Sequence, residues 1–273
     1  MLERFTYTNS YNETLEFGKD CLFVNENDLR DFAWEITTRN NKISGFKKGI
    51  VTKTIPVILK CETEAEGIEL RNRLFEVFEK DVLAMHPGKL HIGDYYLNCY
   101  ITAIQKAQYL INNNYMTAVL TVQTDFPSWI KETTTRYQMS DDSTARFLDF
   151  PYEFRYDFKN DIVNADIINE AIVPLNFILT IEGHANNPTL FINDHRYCVN
   201  VTVEDGETLI IDSVNKTITL NRDGWLINCF NERDRDSYVF EKIPTGVNKV
   251  MSTAPDLKFT LTLLEERSEP KWT

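Results

Sequence analysis

Residues 176–200 read NFILTIEGHANNPTLFINDHRYCVN, and their rhythm decides the fold. Leu175, Phe177, Leu179 and Ile181 recur at every second position. Successive side chains of a strand point to opposite faces, so a period of two marks a half-buried β-strand. Gly183 to Pro188 then turns the chain, Leu190 and Ile192 resume the alternation, and Asn193-Asp194 turns it again. Tyr197, Val199, Val201 and Val203 form the next apolar face, closed by Glu204 to Glu207. Glycine and asparagine tolerate the left-handed backbone of tight turns, which is why they punctuate the strands.

The same pattern runs downstream. Leu209 and Ile211 face Ile218 and Leu220 across a turn at Ser213 to Lys216, and Asn221 to Gly224 turns the chain into Trp225-Leu226-Ile227. Phe259, Leu261 and Leu263 end the series. Many short strands at this spacing predict an antiparallel sandwich or jelly roll. Upstream, FPYEFRYDF at 150–158 alternates Tyr152, Phe154, Tyr156 and Phe158 with charged residues and predicts a strand with one aromatic face that opens the second domain. Residues 131–149 are polar and aperiodic. The predicted division is a first domain over 1–135, a linker over 136–149 and a second domain over 150–273.

In the first half, IVTKTIPVILK at 50–60 predicts a strand, with Pro56 at an edge or bulge because proline cannot donate to a ladder. Thr63 and Glu66 have capping-box spacing and predict a helix near 64–83, with Ile68, Leu74, Phe75, Phe78 and Val82 as its apolar stripe. His86-Pro87-Gly88 ends it. Tyr95, Leu97, Cys99, Ile101 and Ala103 share one face of a strand. Met116, Ala118, Leu120 and Val122 share a face of its partner, with Asn112 to Asn114 as the turn.

The chain has 273 residues and a net charge of −12. Residues 1–140 carry 18 acids and 16 bases, whereas residues 141–273 carry 23 and 13. Phosphate neutralisation needs clustered Lys and Arg, so a sequence-independent nucleic-acid binder is not expected. Cys21, Cys61, Cys99, Cys198 and Cys229 are odd in number and widely spaced, and predict reduced, mostly buried thiols. The opening MLERFTYTNSYNE lacks the apolar core of a secretory signal, and no run approaches the roughly 18 apolar residues of a spanning helix. No membrane anchor is expected.

Catalysis needs a positioned base, nucleophile or metal. His86, His91, His184 and His195 show no helical zinc spacing, and the acid pairs Asp141-Asp142, Glu204-Asp205 and Glu265-Glu266 read as solvated charge. Asn231 to Asp236 reads as an exposed mixed-charge loop. There is no G-x-S-x-G, P-loop or G-x-G-x-x-G. No enzymatic activity, metal or cofactor is expected.

The stretches 150–158 and 176–200, with GETLIIDSVNKTITLNRDG at 206–224, FEKIPTGVNKV at 240–250 and LLEERSEPKW at 263–272, together resemble the distal tail protein (Dit) family of siphophage-type tails in Gram-positive hosts, and of related prophage and tailocin-like particles. The resemblance implies a mainly β fold: an N-terminal sandwich or split barrel with one helix, then a galectin-like or carbohydrate-binding-module-like sandwich. It implies a structural baseplate scaffold in the virion at the tail tip, with six copies closed into a homo-oligomeric ring. Implied partners are the tail-tube protein, the tail-associated hub or fibre protein and a peripheral receptor-binding protein, with DNA passing through the lumen unread. Residues 38–50, TRNNKISGFKKGI, read as an exposed loop or hairpin in which Phe46, Lys47 and Lys48 are candidate ring contacts. The alternative function is saccharide binding in host cell-wall adhesion, with Tyr197, Trp225 and Tyr238 as candidate sugar contacts.

Overall fold

The computed structural model describes residues 4–19, 21–24, 26–109, 115–138, 165–254 and 257–272. Among the described residues it is mainly β with one α-helix, and its strand ladders pair antiparallel. The chain divides into two compact units, residues 1–131 with 266–273, and residues 132–265. The last eight residues are thus grouped with the first unit. The predicted aromatic strand 150–158, the turn at Asn112–Asn114 and linker residues 139–149 lie outside the described residues.

In the first unit, β1 (Phe5–Thr8) pairs with β2 (Thr14–Phe17), and β3 (Leu22–Val24) with β6 (Val51–Lys60). Between them β4 (Glu35–Arg39) and β5 (Lys42–Lys47) pair only with each other. Strand β6 buries Ile55, Val57 and Leu59 at alternate positions. Pro56 pairs with Val119 of β9 and lies just beyond the stretch, Val57 to Leu59, that β3 covers, so β6 is open on one side at the proline.

Helix α1 (Glu64–Ala84) follows, and both halves of its capping box are made: Glu66 N–H donates to Thr63 Oγ1, and the Glu66 carboxylate accepts from Thr63 N–H. The apolar stripe needs correction. Leu74, Val77, Phe78 and Asp81 are buried, whereas Ile68, Phe75 and Val82 are exposed. At 100° per residue the two sets occupy different faces, which the eye merges into one stripe.

The chain continues through β7 (Gly88–Ile92), β8 (Tyr95–Tyr109), β9 (Tyr115–Thr124) and β10 (Trp129–Gln138). The first half of β8 pairs with β7 and its second half with β9. The register slips between Ile101 and Ala103, a bulge that adds one residue and reverses which side chains face inward. Ile104 therefore packs on the core, in place of the predicted Ala103. Strand β10 corrects the linker's start: Thr- and charge-rich residues to Gln138 are extended, held by Tyr137 stacking on Phe259 at 4.9 Å.

The second unit adds β11 (Ala165–Asn169), β12 (Asn176–Glu182), β13 (Ala185–Asn186), β14 (Thr189–Ile192), β15 (His195–Cys198), β16 (Thr202–Val203), β17 (Thr208–Asp212), β18 (Thr217–Arg222), β19 (Trp225–Asn228), β20 (Gly246–Ser252) and β21 (Lys258–Arg267). Two sheets, ordered β19-β18-β17-β12-β21 and β11-β20-β14-β15, share one core containing Phe177, Leu190, Ile211, Val250 and Phe259. The predicted turns hold: Gly183, Asn187, Asn193, Lys216, Asp223 and Gly224 all have positive φ. The predicted face Tyr197 to Val203 is interrupted after Cys198, where Val199 bridges Arg233 before β16 begins.

Candidate assembly surface

The ribbon β4–β5 is the least expected part of the first unit. Asn40 and Asn41 have φ of 51° and 58°, the signature of a two-residue type I′ turn, whose twist matches that of the flanking strands. Ile36 pairs with Phe46, and Thr38 with Ile43 after a bulge at Ser44. Ile36, Phe46 and Ile43 therefore share one face, and each is 57–60% exposed. An isolated two-stranded hairpin is marginal in water, so an apolar face of this size left open marks a contact surface.

The base of the ribbon is firmly tied. Lys48 Nζ donates to Pro127 O at 3.2 Å and to Ser128 Oγ at 3.1 Å, and lies 4.7 Å from the Trp34 ring centroid. Burial holds its pKa below the usual lysine range. Lys53 donates to the carbonyls of Asp28 and Asp31, and burial lowers its pKa too. Asp28 in turn accepts from Thr54 N–H at 2.7 Å, fixing the loop that leads into the ribbon. Lys47 pairs with Glu35 at 3.0 Å on the exposed flank. Of the three predicted contacts, Phe46 is open, Lys47 is exposed in an ion pair, and Lys48 serves as an anchor. Sequence reasoning missed Ile36 and Ile43. The Asn40-Asn41 pair between them was the available signal.

A second apolar surface lies on α1. Ile68 and Phe75 are 56% and 50% exposed, and line a groove of about 440 Å³ with Leu59, Arg71 and Met116. Arg71 Nε is buried there without an acceptor among the described residues.

In the second unit, Trp225 is 78% exposed on edge strand β19, beside exposed Leu226. Tyr238 is exposed, with Lys216 Nζ 5.5 Å from its ring centroid. Tyr197 differs: it is 2% exposed, its hydroxyl donates to Glu241 O at 2.9 Å, and burial pushes its pKa up. A ring so placed belongs to the core and has no face to offer a sugar. His195 Nε2 lies 2.9 Å from Tyr238 O, and His184 Nδ1 lies 3.5 Å from Glu204.

The predicted exposed loop at Asn231–Asp236 is exposed at Asn231, Glu232, Arg235 and Asp236 and departs from that expectation at Asp234. Asp234 is buried, accepts from Asp236 N–H and pairs with Arg196. The backbone N–H of Asp236, then Arg196, hold its carboxyl below the usual range. Cys61, Cys99, Cys198 and Cys229 are buried, and Cys21 is half-buried.

Two antiparallel β units, the first carrying one helix, define a fold found in solved proteins of phage adsorption machinery. The SPP1 Dit protein, described as a paradigm of the hub adsorption apparatus in Gram-positive-infecting phages, matches with a TM-score of 0.60 and 11% identity, over 96% of this chain and 99% of its own. Chains of the phage P2 baseplate in its activated conformation, with Ca and with Sr, match with TM-scores of 0.64 and 0.62 at 12% identity, over 99% of this chain and 100% of theirs. At these identities the likeness is one of fold. No family profile and no curated protein matches the sequence.

Proposed function

We propose that this chain is a structural subunit of a phage tail tip, a distal tail protein whose copies close into a ring, with six as the expected number. The observation that carries the reading is the extent of the fold match, which takes in both units and nearly the full length of the chains on each side. The open ribbon supports it independently, because a head-to-tail ring needs a surface on each subunit that is unfilled until the neighbour arrives. In this reading the ring joins the tail tube to a hub or fibre protein, carries receptor-binding proteins at its rim, and lets DNA pass unread. The second unit is a galectin-like or carbohydrate-binding-module-like sandwich, and the role is scaffolding without catalysis. Light scattering over a concentration series, with particle averages by electron microscopy, tests this. A closed multimer of about six copies is expected. A stable two-fold dimer would overturn it.

A second reading, saccharide binding by the second unit, is favoured by Trp225. An exposed tryptophan on a sheet edge offers a flat apolar face of the kind that stacks on a sugar ring. Pull-down of the full chain by purified cell wall, lost in Trp225→Ala, supports it. Equal retention of the variant removes it.

A further inference from the structure

We propose that the β4–β5 ribbon of one copy lies along the exposed face of α1 in the next copy. This rests on the ring reading and names the surfaces that make the contact.

Two unfilled apolar surfaces in the same unit are matched in size. Ile68, Phe75 and Val82 are seven residues apart, so they line one helix face and span about 21 Å at 1.5 Å per residue. The ribbon's strands of five and six residues are about 17–20 Å long. Each surface carries one phenylalanine, Phe75 midway along the helix stripe and Phe46 opposite Ile36 toward the base of the ribbon, both at least half exposed.

Charge is complementary as well. Ribbon residues 35–47 hold Arg39, Lys42 and Lys47 against Glu35 alone. The helix holds five glutamates against three basic residues. Two of those basic residues are engaged within the subunit: Lys80 pairs with Glu13 at 2.7 Å, and Arg73 donates to Thr14 O at 3.2 Å. Glu76 and Glu79 border the Phe75 stripe, where a basic ribbon would find them. The third, Arg71, lines the groove beside Phe75. The contact is heterologous, since ribbon and helix face are different surfaces, and repetition of such a contact closes a ring.

Mixing two variants of the full chain tests the proposal. Phe46→Ser removes the ribbon anchor, and Phe75→Ser removes the helix anchor. Each should raise the concentration needed for assembly about 30-fold, as expected for an aromatic at the centre of an interface. Mixed one to one, they should give a species of two copies and nothing larger. One contact then has an intact ribbon and an intact helix face, while every further contact is broken. Circular dichroism separates this from unfolding; if Phe75→Ser does not fold, Lys42→Glu and Glu79→Lys should each assemble poorly alone and recover full assembly when mixed, because both contacts of the mixture then pair opposite charges. Assembly of Phe75→Ser at wild-type concentrations, or a mixture without a mixed pair, would overturn the helix as the ribbon's partner while leaving the ring intact. A wild-type chain that stays single at every concentration would sink the ring reading itself.

Discussion

Asp81 is the buried residue on which the helix and the first hairpin depend. Its carboxylate accepts from the Tyr7 hydroxyl at 2.5 Å, from Ser10 N–H at 2.8 Å and from Ser10 Oγ at 2.7 Å, and the side chain is fully buried. Removing one partner of a buried network leaves the others unsatisfied. Asp81→Ala should therefore cost about 3 kcal/mol in urea unfolding, and Tyr7→Phe about 1. Gly88 closes the same site, since a Cβ there would collide with the Tyr7 hydroxyl and the Asp81 carboxylate. Tyr7 and Tyr197 contribute to the alkaline limit, together with the thiols of Cys61, Cys99 and Cys229, which burial also raises. Burial, reinforced at Tyr7 by the bond to Asp81, raises both phenols above the ordinary value of 10.0. The unfolded chain then loses protons that the folded chain retains, so stability is complete below the unfolded value and declines as pH rises beyond it. Urea midpoints between pH 8 and pH 11 should begin to fall above about pH 9, where thiols of the unfolded chain ionise, and fall more steeply above about pH 10, and the double variant Tyr7→Phe, Tyr197→Phe should flatten that steeper part. An unchanged slope in the double variant would show that other groups set it.

At the scale of elements, the ribbon's turn gives a clean test. Both central residues have positive φ, a conformation that glycine adopts without a Cβ penalty. Asn41→Gly should leave stability unchanged or raise it by up to about 1 kcal/mol, whereas Asn41→Val should weaken amide protection across the whole ribbon. Much at this scale was legible beforehand. Thr63 and Glu66 predicted the helix start, and the asparagines and glycines of 183–224 predicted the turns, because these signals are local and act through their own backbone. Where the outcome depended on distant neighbours, the reading was incomplete. The bulge between Ile101 and Ala103 changed which residues of β8 face inward, and no local residue type announces it. The two apolar faces of α1 merged into one because period alone does not say which face the subunit fills. In the candidate site, Phe46 was readable from its flanking glycine and lysines, but Lys48's role as an anchor depends on Pro127 and Ser128, about 80 residues away.

At the scale of the whole molecule, chain order and spatial grouping disagree. Residues 266–273 belong with the first unit, where Arg30 donates to Pro270 O at 2.9 Å and lies 4.0 Å from the Trp272 ring centroid. Trp272 is largely exposed, so Trp272→Ala should cost no more than about 1 kcal/mol, and deletion of 266–273 about 1–3 kcal/mol, in thermal unfolding. A deletion that shifts only the second unit's transition would contradict the grouping. No helix among the described residues is long and apolar enough to cross a membrane. The return of the chain to its first unit also bears on the order of synthesis. During translation, the ribbon and helix emerge early, but the segment that meets Arg30 emerges only after the whole second unit has been made. A nascent chain thus presents its ribbon and the open face of its helix on a first unit that is not yet complete. Translation itself delays completion of the first unit until residue 272 has left the ribosome.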